Sequence, residues 1–287
     1  MKLLLLGNTG QLGWELNRTL QPLGAVVALD YPGINMADTA NIRKTIREHR
    51  PEVIVNATAY TAVDKAKIEP DLAEAINGTG PGVLAEEAFK LNAVFLHFSS
   101  DYVFDGKKGA SYVETDIPNP LNVYGLSKLH GEQVIQQVGC AYLILRTGWV
   151  YSLRQGGFVN KVLEWAHRQE TLRMVTDQVG SPTWCRMLAE MTAQLLARGD
   201  DYIRERKGLY HLAGSGFASR FEWAKLILEL DPGKSGQRVK EIIPALTSDF
   251  PTPAQRPLFS ALDCTRFLAT FGLRLPDWES ALQLALE

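Results

Sequence analysis

The chain has few cysteines, no long apolar run and almost no excess of charge. Its three cysteines, Cys140, Cys185 and Cys264, lie far apart, and their spacing matches neither a zinc site nor a redox pair. No apolar stretch is long enough to cross a bilayer. The formal net charge of −2 gives no reason to expect nucleic acid or an anionic membrane as a partner. We therefore expect a cytoplasmic protein in a reducing environment.

The rest of the composition is typical of a soluble globular protein. Of the 287 residues, 46% are apolar and 22% are charged, and this length suits one large domain or two small ones. The opening apolar run, Leu3 to Leu6, stops at Gly7 and lacks a small-residue cleavage site. This pattern predicts a strand buried in a parallel sheet, not a signal peptide.

A glycine-rich turn follows this first strand and precedes a helical pattern. Glycines at this spacing let the backbone turn tightly and approach a pyrophosphate, which then meets the amino end of the helix. The alternative is a simple strand–helix turn. We predict a dinucleotide site whose cofactor contacts come from Gly7, Thr9, Gly10, Gln11, Leu12 and Gly13.

Strands and helices alternate through the first half of the chain, which predicts a Rossmann-like α/β fold with a doubly wound parallel sheet. We assign residues 1–150 to this dinucleotide-binding domain, with about 170–200 returning to it, and 151–287 mainly to a smaller substrate-binding lobe. Pro81 and three glycines interrupt the helical pattern from Leu72 to Leu91, which predicts a break or kink. His97 lies inside an apolar strand and is predicted to be a packed residue.

The second strand ends at Asp30, and this position predicts a carboxylate that accepts both hydroxyls of the adenosine ribose. The same carboxylate repels the extra phosphate of NADPH, and Arg18 is the one nearby basic candidate to balance it. We therefore expect NADH to be used at least comparably to NADPH. The third strand is followed by small residues that allow close approach to the cofactor, namely Ala57, Thr58 and Ala59.

Ser100, Tyr124 and Lys128 form the candidate catalytic group. Ser100 ends the fourth predicted strand, and Tyr124 and Lys128 share one face of a predicted helix because they are four residues apart. An ammonium beside a phenol lowers the phenol pKa, which lets a tyrosine exchange a proton with a substrate oxygen. The alternative, a chance pair on a helix surface, fits less well with the glycine turn and Ser100 in the same chain.

The chain resembles the extended short-chain dehydrogenases/reductases, and within them the family of dTDP-4-dehydrorhamnose reductases. The resemblance covers nearly the whole chain and is carried by Tyr124–Lys128 and by two more specific blocks, Asp101–Gly106 and Thr252–Pro257. It implies reduction of a dTDP-linked 4-ketosugar with NADPH or NADH, in the last step of dTDP-L-rhamnose synthesis. It also implies a monomer or a homodimer.

The resemblance also implies individual roles. Tyr124 would protonate the ketone oxygen, Lys128 would lower the tyrosine pKa and bind the nicotinamide ribose, and Ser100 would hydrogen-bond the substrate oxygen. Asn35 and Met36 would lie near the adenine, and Arg256 would pair with a substrate phosphate. The other implied substrate contacts are Val63, Asp101, Tyr102 and Trp149.

Two features depart from this family pattern or extend it. Most relatives carry threonine where this chain has Ser100, so the hydroxyl is kept and a stiffening methyl is lost. Some members dimerise through a magnesium ion held by acidic side chains, for which Glu15 and Glu190 are candidates here. The alternative interpretation of these two residues is a pair of solvated helix acids.

Two other functions remain open from the sequence. One is a sugar-nucleotide dehydratase or epimerase, although a dehydratase of this superfamily typically has Thr-Asp-Glu where this chain has Ser100-Asp101-Tyr102. The other is a non-catalytic protein resembling the regulatory subunit of methionine adenosyltransferase, since fold alone does not settle activity.

Overall fold

The computed structural model describes residues 1–154 and 156–287. In this part of the chain, no helix is both long and apolar enough to span a membrane. The strands are β1 Lys2–Leu6, β2 Ala25–Leu29, β3 Val53–Asn56, β4 Val94–Ser100, β5 Ala141–Thr147, β6 Val150–Tyr151, β7 Thr171–Val175, β8 Val179–Gly180, β9 Thr183–Trp184, β10 Gly208–His211, β11 Ala218–Ser219 and β12 Glu241–Ala245. The helices are α1 Gln11–Thr19, α2 Thr39–His49, α3 Val63–Ala66, α4 Pro70–Glu74, α5 Gly80–Leu91, α6 Val123–Val138, α7 Phe158–Arg168, α8 Cys185–Leu196, α9 Asp200–Glu205, α10 Arg220–Glu229, α11 Thr265–Phe271 and α12 Trp278–Leu286.

The main sheet has six parallel strands in the order β10-β5-β4-β3-β1-β2. The predicted Rossmann-like fold is therefore confirmed. The chain order reverses at β1, which has β2 on one side and β3 on the other. Loops that leave β1 and β3 diverge at this point, and ligands of such sheets bind in the resulting crevice.

Both faces of the sheet are covered, as the continuous apolar run in β1 predicts. Leu3 and Leu5 face one layer, which includes buried side chains of α1, α8 and α11. Leu4 and Leu6 face the other layer, built by α2, α5 and α6. Elements from both halves of the chain therefore build the apolar layers that enclose the central strands.

The remaining C-terminal elements form a second apolar cluster around Trp223, which is buried against Trp149, Tyr151 and Phe158. This cluster joins α7, α10 and α12 to the small parallel pair of β7 and β12. The stretch from 177 to 183 contains the short strand β8 and reaches β9. Strand β8 pairs with β11, and β9 pairs with β6.

The predicted break or kink between Leu72 and Leu91 takes the form of a change of helix type and not of a gap in the helix. Helix α4, one wide π-helical turn over Ala75–Thr79 and helix α5 follow one another without a gap, and the wide turn accommodates Pro81. The glycines serve close packing against α6 instead. A Cβ atom on Gly82 would lie 2.4 Å from a methyl group of Val134 on that helix.

Gly131 of α6 provides a test of this packing. A Cβ atom there would lie 2.2 Å from the backbone oxygen of Asn77, which cannot move aside easily. Gly131→Ala should therefore lower the free energy of unfolding by about 1–3 kcal/mol, although alanine is the better helix former. Gln137→Ala, at an exposed position of the same helix, should change it by less than about 0.5 kcal/mol. Stabilisation by Gly131→Ala in urea unfolding would contradict this packing.

Candidate active site

A cleft of about 510 Å³ opens at the carboxyl edge of the sheet, between the glycine turn, the end of β4 and the C-terminal lobe. It gathers residues from the predicted catalytic group, the glycine turn and the predicted substrate contacts. The predicted site residues that line it are Gly10, Gln11, Leu12, Ala57, Thr58, Ala59, Val63, Ser100, Asp101, Tyr102, Tyr124, Lys128 and Trp149.

The glycine turn leaves room for a phosphate at the start of α1. Gly7 has φ +86°, and a Cβ there would lie 2.9 Å from the backbone of Ala57. No side chain caps the amino end of α1 at Gly10, so its first backbone N–H groups face outward. Among the described residues, the buried Oε1 of Gln11 has no partner. These features fit a bound dinucleotide phosphate.

Asp30 lies beside this turn but does not line the cleft. Its carboxylate accepts hydrogen bonds from the backbone N–H of Thr9 at 3.2 Å and the hydroxyl of Thr9 at 2.5 Å. Gly7 and Gly13 do not line the cleft. They allow the turn to be tight, because a Cβ on Gly13 would collide with the Gly7 oxygen. The two hydrogen bonds from Thr9 therefore hold Asp30 next to the predicted cofactor site.

The predicted adenine-side residues are not brought to the cleft. The Asn35 side chain accepts a hydrogen bond from the backbone N–H of Ala37 at 3.0 Å. Met36 is buried in the apolar layer that contains Ile42 and Val83. In this structure both residues shape the segment after β2, so their role at the adenine stays a prediction.

Arg18 lies apart from Asp30. Its guanidinium stacks on Trp14 and donates to the Trp14 carbonyl oxygen at 3.1 Å. It lines a second cleft with Glu15 and Arg186, away from the described cofactor turn. This placement argues against Arg18 as a partner for a ribose phosphate.

Ser100 is fixed at the end of β4. Its hydroxyl donates to the Asp101 carboxylate at 3.1 Å and accepts from the Tyr102 backbone N–H at 3.1 Å. Tyr124 reaches the same cleft from the first turn of α6, which Asn122 caps through a 2.9 Å bond from the Gly125 N–H. A Cβ on Gly125 would collide with the Tyr102 oxygen, so glycine allows α6 to approach this closely.

Tyr124 and Lys128 are both shifted toward their neutral forms. Burial raises the pKa of Tyr124 to about 12, and the hydrogen bond to Ser100 lowers it less. Burial lowers the pKa of Lys128 to about 8. The Lys128 ammonium nitrogen lies 2.7 Å from the Phe98 oxygen and 3.2 Å from His97 Nε2. Burial dominates the net shift of the Tyr124 pKa, and the expectation that Lys128 lowers that pKa stays a prediction.

Arg256 does not line the cleft. Its guanidinium forms a two-point ion pair with Asp64, at 3.1 and 2.8 Å, and also donates to Thr252 and to the Ala254 oxygen. The ion pair holds the pKa of Asp64 below its usual range. In this arrangement these bonds hold the guanidinium on Asp64, and its contact with a substrate phosphate stays a prediction.

Arg220 lines the cleft from the first residue of α10. Its guanidinium carbon lies 3.6 Å from the centre of the Trp149 ring, and burial lowers its pKa to about 10. Asp101 attracts it electrostatically, but in the described parts of the chain no carboxylate oxygen lies within ion-pair distance of it. The Ser219–Glu222 capping box could have located the start of α10, but no sequence signal places its first residue at the cleft.

Asp101 is almost fully buried beside Ser100. Its second carboxylate oxygen accepts a 2.6 Å hydrogen bond from Ser260, a residue that the sequence reasoning missed. Burial raises the pKa of Asp101 to about 6, more than these hydrogen bonds lower it. The cleft therefore contains a carboxyl group that titrates near neutral pH.

The candidate magnesium ligands do not fit a metal site. Glu15 and Glu190 line the second cleft together with Arg18, Arg154 and Arg186, and Arg186 pairs with Glu190 at 3.2 Å. Across residues 1–154 and 156–287, no group of three or more acidic, histidine or cysteine side chains could hold a metal ion. The arginines make this cleft unfavourable for a divalent cation.

The chain is similar to known reductases over its whole length. The family model described as "RmlD substrate binding domain" matches residues 1–287. A dTDP-4-dehydrorhamnose reductase from Burkholderia thailandensis is 39% identical, with 100% of this chain and 98% of that protein covered. One from Escherichia coli K12 is 40% identical, with 100% and 97% covered.

Solved structures give the same result. A dTDP-4-dehydrorhamnose reductase from Clostridium acetobutylicum superposes with a TM-score of 0.92 at 32% identity, with 100% of this chain and 98% of that one covered. The Bacillus anthracis reductase in complex with NADP superposes with a TM-score of 0.90 at 31% identity, with 99% and 98% covered.

The raised pKa of Asp101 makes stability depend on pH. The unfolded chain releases this proton near the ordinary value of 3.8, whereas the folded protein holds it until about 6. The contribution of Asp101 to folding stability therefore falls as the pH rises from about 4 to about 6. Asp101→Asn should remove this part of the pH dependence, worth up to about 3 kcal/mol between pH 4 and pH 7. Urea unfolding at the two pH values measures it.

The matched control for this experiment is Asp201→Asn, at an exposed position in the first turn of α9. It should leave the pH dependence of stability unchanged. An unchanged pH dependence in Asp101→Asn as well would show that the carboxyl group titrates normally.

Proposed function

Since the chain belongs to the RmlD substrate binding domain family, we propose that it reduces dTDP-4-dehydro-L-rhamnose to dTDP-L-rhamnose with NAD(P)H, as the last step of dTDP-L-rhamnose synthesis. The observation that carries this proposal is the meeting of Ser100, Tyr124 and Lys128 with the glycine turn in one cleft. A ketone held there lies between a cofactor cradle and a proton donor.

The bound nicotinamide supplies the hydride, and the protein handles the proton. Tyr124 keeps its proton at neutral pH because its pKa is raised, so it can act as general acid toward the substrate oxygen. The Ser100 hydroxyl has one proton, and by turning it from Asp101 to the substrate oxygen it would stabilise the charge that develops there. Lys128 reaches the cleft from the next turn of α6 and can donate to a ribose hydroxyl.

The substrate nucleotide carries a diphosphate that needs a cation. Arg220 fits this role because it lines the cleft, stacks on Trp149 and has no carboxylate within ion-pair distance among the described residues. A guanidinium fork is well suited to phosphate oxygens. Trp149 and Val63 supply an apolar surface for the sugar.

The two parts of the chain divide this work. Residues 1–150 provide the cofactor cradle, the proton donor and the apolar surface of Val63 and Trp149, and residues 151–287 provide Arg220 for the diphosphate. Elements α8, β10 and α11 also belong to the main sheet and its apolar layer. This supports a C-terminal half that serves both the dinucleotide-binding domain and the substrate-binding lobe.

The direct test of this function is Tyr124→Phe. The variant keeps the ring and loses only the proton donor, so kcat for dTDP-6-deoxy-L-lyxo-4-hexulose should fall on the order of 100- to 10,000-fold. Ser100→Ala should also lower kcat, by roughly 100-fold or more, whereas Ser100→Thr should be tolerated. Cofactor Kd should change little in each variant. Near-native turnover by Tyr124→Phe would exclude it as the acid.

Arg220→Gln tests the assignment of the diphosphate. Loss of hydrogen bonds to a charged group should raise KM for the dTDP-sugar roughly 10- to 100-fold, with a smaller effect on kcat. Arg238→Gln removes an exposed arginine of the same lobe and serves as the control, which should keep the native KM. An unchanged KM in Arg220→Gln would show that another group binds the diphosphate of the substrate.

The placement of Asp30 and Arg18 predicts the cofactor preference. Asp30 can accept ribose hydroxyls and repels a ribose phosphate, and Arg18 stacks on Trp14 instead of balancing it. Arg43, the next basic residue along the chain, is held by Glu86 and Glu87. NADH should therefore give a kcat/KM at least comparable to that of NADPH. A strong preference for NADPH, lost in Arg18→Ala, would overturn this prediction.

A further inference from the structure

Ser260 connects the C-terminal lobe to the residue beside Ser100. Its hydroxyl donates to Oδ2 of Asp101 at 2.6 Å, while the Ser100 hydroxyl donates to Oδ1 of the same carboxylate at 3.1 Å. Asp101 is 3% exposed and Ser260 is 1% exposed, so little water reaches this group. One buried carboxylate therefore accepts hydrogen bonds from two serines that come from opposite halves of the chain.

The backbone on both sides of this contact is fixed. The Ser260 N–H donates to the Val179 oxygen at 2.8 Å, and the Val179 N–H donates to the Leu258 oxygen at 2.7 Å, so residues 258–260 follow strand β8. On the other side, a Cβ on Gly148 would lie 2.9 Å from Cγ of Asp101. Glycine at that position leaves the room that the carboxylate needs. Ser260 therefore approaches Asp101 from a fixed direction.

The Ser260 hydrogen bond is the stronger of the two that reach the carboxylate. A carboxylate can only accept, so the Ser260 hydroxyl must donate to an ionised Asp101. A distance of 2.6 Å is typical of a hydroxyl that donates to a charged oxygen, for which about 2.5–2.7 Å is usual, and such bonds are about twice as strong as neutral ones. The bond from Ser100 is 3.1 Å long and is correspondingly weaker.

Ser100 has to leave Asp101 in order to act on a substrate. Its hydroxyl carries one proton, which can point to the Asp101 carboxylate or to the substrate oxygen, but not to both. The Tyr102 N–H donates to Ser100 Oγ at 3.1 Å, and this bond holds the oxygen while the proton can still rotate. Serine also lacks the methyl group that restricts the rotamers of threonine. The direction of the Ser100 proton therefore depends on how strongly Asp101 attracts it.

A buried carboxylate with a second, stronger donor attracts the first donor less, because its charge is already partly compensated. We propose that Ser260 is a positioning residue whose hydrogen bond to Asp101 allows the Ser100 hydroxyl to turn from the carboxylate to the substrate oxygen. Ser260 does not line the cleft. It therefore acts on the reaction through Asp101 and Ser100, and it touches neither the substrate nor the cofactor.

The other groups that face Asp101 agree with this role. Arg220, at the start of α10, attracts the carboxylate from beyond ion-pair distance, and Tyr102 and Tyr124 face it as neutral phenols. Burial raises the pKa of Asp101 to about 6, and the hydrogen bond from Ser260 is the largest effect that opposes this rise. At pH 8 the carboxyl group is therefore ionised, which is the form to which Ser260 must donate.

This inference deepens the proposed function and rests on it, but its first test needs no turnover. Ser260→Ala removes a donor to the charged form, so Asp101 should titrate about one pH unit higher than its native value near pH 6. The ¹³Cγ resonance of Asp101, assigned from its loss in Asp101→Asn, reports this titration. An unchanged titration in Ser260→Ala would overturn the proposal, whatever the enzyme reduces.

The matched control is Ser280→Ala. Ser280 is an exposed serine outside the cleft, and its hydroxyl also donates to a carboxylate, that of Asp277, at 2.9 Å. This variant should leave the Asp101 titration and kcat at their native values. Ser260→Cys keeps a weak S–H donor and should give an Asp101 titration between those of the native protein and Ser260→Ala. Thermal unfolding and cofactor Kd check that each variant is folded.

A double-mutant cycle tests whether Ser260 acts through Ser100. At pH 8, Ser260→Ala should lower kcat about 10-fold, because Asp101 then keeps the Ser100 proton. In a Ser100→Ala background there is no hydroxyl to release, so the same substitution should change kcat less than about 2-fold. A native kcat in Ser260→Ala, or an equal fall in both backgrounds, would overturn the proposal.

Discussion

Removal of titratable side chains from water at the end of β4 is the constraint on which the site depends. Burial raises the pKa of Tyr124 and Asp101 and lowers the pKa of Lys128 and Arg220, so each group moves toward its neutral form. A reductase needs this for its acid, because a tyrosine that has already lost its proton cannot give one to a ketone. The same burial makes each hydrogen bond among these groups selective for one protonation state.

This burial follows from the sequence through the sheet. The apolar run that ends in Ser99 and Ser100 forms a central strand, with apolar layers of helices on both faces. Glycines then let α6 approach closely enough for Tyr124 and Lys128 to enter the same enclosed space. The C-terminal lobe completes the cleft with Trp149 and Arg220, which its aromatic cluster around Trp223 holds in place. The packing of the sheet, of α6 and of the aromatic cluster therefore sets the pKa values of the side chains in the cleft.

The features that could be predicted from the sequence are those that depend on residues close together in the chain. The strand–turn–helix around Gly7 to Gly13 and the Tyr124–Lys128 spacing depend on neighbours in the chain, and both were recognisable. The choice between Arg256 and Arg220 was not, because it depends on Asp64, which lies about 190 residues from Arg256 in the chain and binds it. The contact between Asn56 and His97 was equally hidden, since it requires the register of β3 against β4.

Transfer of deuterium tests the central claim most directly. Purified protein is mixed with dTDP-6-deoxy-L-lyxo-4-hexulose and NADH or NADPH carrying two deuterium atoms at C4 of the nicotinamide, and the sugar nucleotide is analysed by mass spectrometry and NMR. The account predicts dTDP-L-rhamnose with one deuterium at C4 of the sugar and one oxidised cofactor for each product molecule. A product without deuterium at C4, or no product with either cofactor, would contradict it.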